Sequence, residues 1–420
     1  MTSHVRTVVR PGLLLDVDSG ELLMRRAIVI VDGLIETIVA AEDLTEADVR
    51  DVEVLDLPEL TVLPGLIDCH THLVGEPESA AGYAAMLQRT GAQEALSGVR
   101  NARATLHAGF TTVRDVGTFR AFVDVALRDA IEAGWVEGPR MLCAGAYVTC
   151  SGGGGDITGM APDVDAVVPR DLRVGVADSV DEVRKAVRSV LHGGADLVKV
   201  IATGAVMTEG TNPGAPEFSE AEIRAAVEEA ALYGADVAAH AHGAEGIKRA
   251  VRAGVRSIEH GSIMDDEGVA LMAQRGTYLV ADVYCGDYIA ETGRAEGWSP
   301  DALRKNDETT DTQRVAFEKC VEAGVRIAFG TDSGIYPHGW NARQFAYQVR
   351  HGQTPLEAIR SATVHAAALL RREDTLGRIA PGYAADLIGV VGDPTDDVRL
   401  LEDVAFVMKA GRPFVGAPTP

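Results

Sequence analysis

The sequence predicts an α/β protein: a (β/α)8 TIM barrel with a small β-sandwich domain built from both chain termini. Three observations carry this. Eight short apolar runs alternate with helical patterns through the middle of a 420-residue chain. Both ends read instead as short strands broken by Gly, Pro and Asp. Polar residues gather at the C-terminal ends of the apolar runs, where a barrel places its active site.

Taken in order, TVVRPGLLLDVDSGELLMRRAIVIVDGLIETI carries β-branched runs separated by Asp-Ser-Gly and Asp-Gly, both hairpin signals. The closing GRIAPGYAADLIGVVGDP and VAFVMKAGRPF are similar. Residues 1–60 plus 373–420 are therefore expected to form the sandwich, and 61–372 the barrel. The barrel strands are VLPGLIDCHTHL, TTVRDVG, RMLCAGAYVT, LVKVIATG, VAAHAHG, SIEHG, TYLVADVY and RIAFGTDSG. Between them, SVDEVRKAVRSVLHGG and SEAEIRAAVEEAALYG each open on Ser-x-x-Glu and end in Gly, as capped helices do. The alternative is a doubly wound open sheet. No G-x-G-x-x-G follows an early strand, so its dinucleotide-binding form is unsupported.

Composition narrows the partners. The formal net charge of −23 repels nucleic acid and anionic membrane, so neither is expected. The five cysteines are odd in number and form no CxxC pair, which argues against a disulfide framework and a zinc ribbon. The N-terminus lacks a basic segment followed by a long apolar one, and no apolar run approaches the ~18 residues of a membrane span. A cytoplasmic homo-oligomer acting on a small molecule or dipeptide is expected.

The strand ends carry the chemistry. Strand one finishes in His70-Thr71-His72, strand five in His240-Ala241-His242, strand six in Glu259-His260 and strand eight in Thr331-Asp332-Ser333. Side chains alternate along a strand, so His70 and His72 face the same way and can reach one ion. A lone strand histidine is as often a hydrogen-bonded core residue. Several strand ends bearing such groups together are not explained that way. Imidazole and carboxylate without thiolate suit Zn, Mn, Fe or Ni.

Strand four contains Lys199 among Val198, Val200 and Ile201. Burial and neighbouring cations both favour its neutral amine. A neutral amine can take up CO₂ and become a carbamate, an anionic oxygen ligand able to bridge two metals. A lysine that snorkels out of the strand, or a Schiff-base lysine, is the bland alternative. Neither accounts for the surrounding histidines.

In this order, PGLIDCHTHL, ADLVKVIATG, VAAHAHG, SIEHG and FGTDSG resemble the amidohydrolase superfamily, and the closing LGRIAPGYAADLIGV resembles its return into the small β-domain. TTVRDVG, ATVHAAALL and the strand-four lysine are similar to the imidazolonepropionase-like group, which includes Xaa-Pro dipeptidases (prolidases), Xaa-Arg/Lys carboxypeptidases and ochratoxinase. The resemblance implies two divalent metal ions, zinc foremost, bridged by N6-carboxylated Lys199. It assigns His70, His72 and Asp332 to the more buried metal and His240 and His260 to the other. His242 would then stand behind the metal or face the substrate. One departure matters: many members of the group carry Gly-Gly-His-Gly-Asp after strand three, whereas this chain has SGGGGD, with Gly154 where that histidine would stand. The four glycines read either as a flexible loop or as backbone that closely approaches a substrate.

The expected function is a binuclear hydrolase cleaving the amide of an Xaa-Pro or similar dipeptide, or of an N-acyl amino acid. Asp332 would serve as general base and then acid, with His242 or Tyr147 donating to the oxyanion. Tyr147, Gly154, Tyr284, His338 and Arg343 are the candidate substrate-binding residues, and Arg114 with Asp115 a structural pair behind the site. A cyclic amide or carbamate is the alternative substrate. A mononuclear deaminase would lack Lys199, and a non-catalytic barrel would have lost ligands.

Overall fold

In the computed structural model, residues 5–45, 49–50, 52–75 and 82–416 are described. The chain divides into two units, Met1–Asp68 with Arg103–Val113 and Gly339–Pro420, and Cys69–Ala102 with Arg114–His338.

The first unit holds a mixed sheet of eight strands from both ends of the chain. These are β1 (Arg6–Leu15), β2 (Leu22–Met24), β3 (Arg26–Val31), β4 (Leu34–Ala40), β5 (Glu53–Pro64), β14 (Leu387–Val391), β15 (Phe406–Lys409) and β16 (Arg412–Val415). Their order is β16-β15-β14-β5-β1-β3-β4, with β2 beside β1. Asp32 and Gly33 link β3 to β4 as a two-residue hairpin, with φ of 51° and 81°. Those angles are what the Asp-Gly signal predicts. Alternation along the strands separates two apolar clusters: Val9, Ile28, Ile30 and Leu55 pack with Leu387 and Phe406, while Val8, Ala27 and Val29 pack apart from them.

The barrel strands lie in the second unit, apart from residues 66–68 and 110–113, which belong to the first. β6 (Leu66–Thr71), β7 (Phe110–Asp115) and β8 (Arg140–Cys143) form one sheet. β9 (Tyr147–Val148), β10 (Val198–Ile201), β11 (Val237–Gly243), β12 (Ser257–Ile263) and β13 (Tyr278–Val280) form another, parallel throughout. The run expected as strand three is β8 and β9, interrupted at Ala144–Ala146. The eighth run closes the ring through bridges only: Ile327 pairs with Leu279 of β13, and Ser333 with Thr71 of β6. The helices start as their caps predict. Ser219 and Glu222 form a reciprocal capping box on Glu220–Ala231. Ser179 caps Val180–His192, but Glu182 reaches back to the Asp178 amide instead. Among the described residues, no helix is long and apolar enough to cross a membrane.

Candidate metal centre

Strand periodicity sets the inward residues. Lys199 and Ile201 of β10, and His240 and His242 of β11, each two apart, line one cavity of about 380 Å³. On β12 the alternation breaks. His260 has φ 67° and the following Gly261 the same value, so both Glu259 and His260 turn into the barrel. Asp332, at the end of the eighth run, also stands at positive φ, 58°. Backbone held in this region by a non-glycine residue is characteristic of functional sites.

His70, His72 and Asp332 come together, as do His240, His242 and His260. His260 and Asp332 also meet Asp282, a carboxylate just beyond β13. In each group the ligating atoms lie within 4.8 Å of one another. The His70 and His260 rings are 4.8 Å apart, so the groups adjoin.

The hydrogen bonds show which nitrogen each imidazole presents. His72 Nδ1 lies 2.7 Å from the Gly117 carbonyl, which can only accept, so Nδ1 carries the proton. Its Nε2 then faces Asp332 Oδ1 at 3.2 Å. His70 Nδ1 donates to Glu259 at 2.8 Å, and its Nε2 faces the same Asp332 oxygen at 3.4 Å. Two imidazole lone pairs thus converge on one carboxylate oxygen, which calls for a cation among them. His260 Nδ1 is held by Asp282 at 2.9 Å, and His242 Nδ1 by Ser262 at 2.8 Å. His240 binds the Gly204 carbonyl through Nε2 at 3.3 Å, leaving Nδ1 as its ligand atom. This donor set fits divalent metal. Each ligating histidine is oriented by a partner on its other nitrogen, as in metalloprotein sites generally.

Electrostatics agree at His70, His240 and His242, whereas at His72 burial is outweighed by Asp332 and the imidazole is raised. Burial, then the charge of Lys199, lowers His70, and burial, then His260, drives His240 well below its ordinary value. His242 is pushed down to about 3 by burial and by His260. Burial opposes the charge of Asp332, but the adjoining His70 and His72 outweigh it and hold the carboxyl well below the usual range. Lys199 is 2% exposed, and burial brings its amine down to about 8.

Beneath the cluster, Arg114 donates to the Cys69 carbonyl at 2.6 Å, to Ser257 at 3.0 Å and to Glu259 at 2.8 Å. The expected Arg114–Asp115 pair is therefore corrected. Adjacent strand residues point to opposite faces, and Asp115 instead accepts from the backbone of Leu73 and Gly117. Burial and the charge of Asp124 raise Asp115 to about 7. Arg114→Met would strand the Glu259 carboxylate without its counter-charge. It is expected to destabilise the protein by roughly 3–5 kcal/mol in urea denaturation, the usual result of breaking one half of a buried ion pair.

The substrate-side candidates fall in different places. Tyr147 lines the cavity, with its hydroxyl 3.1 Å from the Gly117 carbonyl and 3.2 Å from His72 Nδ1. Gly154 also lines it, but both its backbone groups are engaged within the protein: N–H to Glu217 at 2.8 Å and C=O to Thr208 at 2.6 Å. A Cβ there would stand 3.0 Å from Ile201 and 3.1 Å from Ala205. Tyr284 and His338 are not among the lining residues. Tyr284 packs edge-on against Tyr336, and burial lowers the His338 imidazole to about 3. Arg343 belongs to the other unit, where it stacks 3.7 Å over Trp340. Sequence reasoning missed Asp282 and Gln313, whose amide donates to Asp282 at 2.7 Å. Asp282 was findable, as an acid closing the apolar run of strand seven. Gln313, midway along the helix Pro300–Glu322, offers no such signal.

Glu217 is raised to about 7 by burial. A carboxyl raised by folding weakens the fold once ionised; the penalty is absent well below its ordinary pKa and complete above the raised one. Glu217→Gln keeps an acceptor for Gly154. Thermal unfolding is expected to show it more stable than wild type by roughly 2 kcal/mol at pH 8, after allowance for partial solvent access. The difference shrinks as pH falls toward 5.

Inward histidines at three strand ends, a buried lysine on a fourth strand and an aspartate after the eighth define an amidohydrolase-type barrel. The amidohydrolase family model matches residues 61–414, and the chain belongs to that family. It is 34% identical to ochratoxinase of Aspergillus niger over 430 residues, spanning 98% of this chain and 87% of that protein. It is 26% identical to imidazolonepropionase of Chromobacterium violaceum, spanning 93% and 91%. A solved Xaa-Pro dipeptidase with methionine bound in its active site superimposes with TM-score 0.90 at 40% identity, covering 98% of this chain and all of that one.

Proposed function

We propose that the protein is a binuclear metal-dependent hydrolase of amide bonds, acting on an Xaa-Pro or similar dipeptide or on an N-acyl amino acid. The observation that carries this reading is Lys199: a buried amine, lowered to about 8, lining the same cavity as His70, His72, His240, His260 and Asp332. Such an amine bonds to CO₂ through Nζ, releases a proton and becomes a carbamate. With the carbamate in place, His70, His72 and Asp332 would hold one zinc ion and His240 and His260 a second. The two ions would supply a hydroxide near neutral pH and a Lewis acid for the scissile carbonyl.

The chain's own groups do the rest. Asp332, held ionised, takes the proton of the attacking water and passes it to the leaving nitrogen. His242, neutral and lining the cavity, donates from Nε2 to the developing oxyanion when Ser262 donates to Nδ1. Glu259 and Asp282 keep the proton of His70 and His260 on Nδ1. The name of the dipeptidase relative supports a linear amide. The imidazolonepropionase relative favours a cyclic amide as the second reading. In the same reading the terminal sheet is a small β-sandwich around its larger apolar cluster, and the five free cysteines suit the cytoplasm.

Zinc-loaded protein is to be screened against Xaa-Pro, Xaa-Arg and N-acyl amino acid libraries, with hydantoins and lactams alongside. Turnover confined to the linear amides is expected. Turnover of the cyclic compounds alone selects the second reading, and turnover of none across the panel rejects hydrolysis.

A further inference from the structure

One side of the cavity is built from three segments that follow three different strands: Tyr83 and Met86 after β6, Gly154 after β9, and Ala205–Thr208 after β10. Thr208 joins all three. Its hydroxyl donates to the Gly154 carbonyl at 2.6 Å and so accepts from the Tyr83 hydroxyl, also at 2.6 Å. Its own carbonyl accepts from Lys305 Nζ at 2.7 Å. Lys305 is 1% exposed and stands on the helix Pro300–Glu322, with Asp301 2.6 Å from its amine. A buried lysine needs compensation, and this one contacts no residue of the metal cluster, so the proposed chemistry does not account for it. The wall it braces is tightly packed. A Cβ at Gly154 would sit 3.0 Å from Ile201, close enough that the neighbour would have to give by a few tenths of an ångström, and Ile201 lies two residues from Lys199 on β10.

We propose that Thr208 and Lys305 are positioning residues: they clamp the glycine loop onto β10 and thereby limit the bulk of the substrate the cavity admits on that side. Its kinetic part rests on the hydrolase reading above. The clamp itself does not.

The test uses full-length, metal-loaded protein and two variants. Lys305→Met keeps the stem and removes the amine. Thr208→Val keeps the shape and removes both hydroxyl contacts. Hydrogen–deuterium exchange is followed in peptides covering 150–158 and 203–212, with metal content and Tm measured in parallel. Exchange in both segments is expected to quicken about tenfold, as for loss of one hydrogen bond to a charged group, with metal content unchanged. Across N-acyl substrates of rising bulk, KM for the smallest is expected to rise about tenfold with kcat within about threefold, and bulky substrates to lose less or gain. Unchanged exchange in both variants overturns the proposal. So does equal loosening of the whole chain, or a fall in kcat at constant KM. If Lys305→Met does not fold, Thr208→Val decides by the same criteria. If wild type hydrolyses nothing, the hydrolase reading has failed, and the exchange data still decide the clamp.

Discussion

Replacing Asp332 with asparagine is expected to lower kcat by roughly 10²–10⁴-fold, the share a positioned proton acceptor and donor contributes, while the fold stands. Asparagine suits this position for two reasons. Asp332 sits at φ 58°, a conformation asparagine tolerates better than most residues. The amide also keeps an oxygen directed toward His70 and His72, whose Nε2 atoms lie 3.4 and 3.2 Å from the native carboxylate. What it loses is the capacity to take a proton. Steady-state kinetics with metal content measured on the same sample checks this. A variant with full metal content and near-native kcat would remove Asp332 from the proton path. Alanine is the less informative substitution, because it adds backbone strain and leaves both imidazoles without their anion.

Lys199→Met is expected to move activity and stability in opposite directions. Turnover falls by roughly 10³-fold or more, because a ligand worth several kcal/mol of transition-state stabilisation is gone. The metal-free protein, by contrast, becomes more stable. Folding lowers the amine of Lys199 from 10.5 to about 8, mainly through burial. A lysine lowered by folding destabilises fully below its folded pKa and not at all above its unfolded one. Metal-free, CO₂-free wild type therefore carries a penalty of roughly 3 kcal/mol at pH 7 that fades as pH rises past 10. Lys199→Met carries none, and its Tm should exceed wild type at pH 7 and converge with it near pH 10. Such opposition marks a residue kept for function. A less stable metal-free variant at pH 7 would instead make Lys199 a structural amine.

Much of this site was legible because strand periodicity is simple. His70 and His72, or His240 and His242, must share a face if they lie on a strand, and the ligand candidates His70, His72 and His240 needed only that rule. The barrel followed from alternation and from Ser179 and Ser219 at the helix starts. What stayed hidden depended on departures from regular backbone or on tertiary approach. His260 breaks the alternation at φ 67°, so nothing in SIEHG announced that Glu259 would also turn inward and hold His70. Arg114 and Asp115 were read as partners by adjacency, whereas opposite faces gave them different ones. Gln313 and Lys305 sit on a long polar helix, where one Gln or Lys resembles another until the helix docks. The glycine loop read two ways from sequence, and its amide and carbonyl at Gly154 turn out to be bound to Glu217 and Thr208.

The proposed mechanism turns on Lys199 as a carbamate between two metals. A crystal grown with zinc and bicarbonate, with anomalous scattering recorded at the zinc edge, tests it most directly. Two anomalous peaks are expected within the His70, His72, His240, His260 and Asp332 cluster, with density for a planar carboxylate continuing from Lys199 Nζ between them. A single peak beside a bare amine would contradict it.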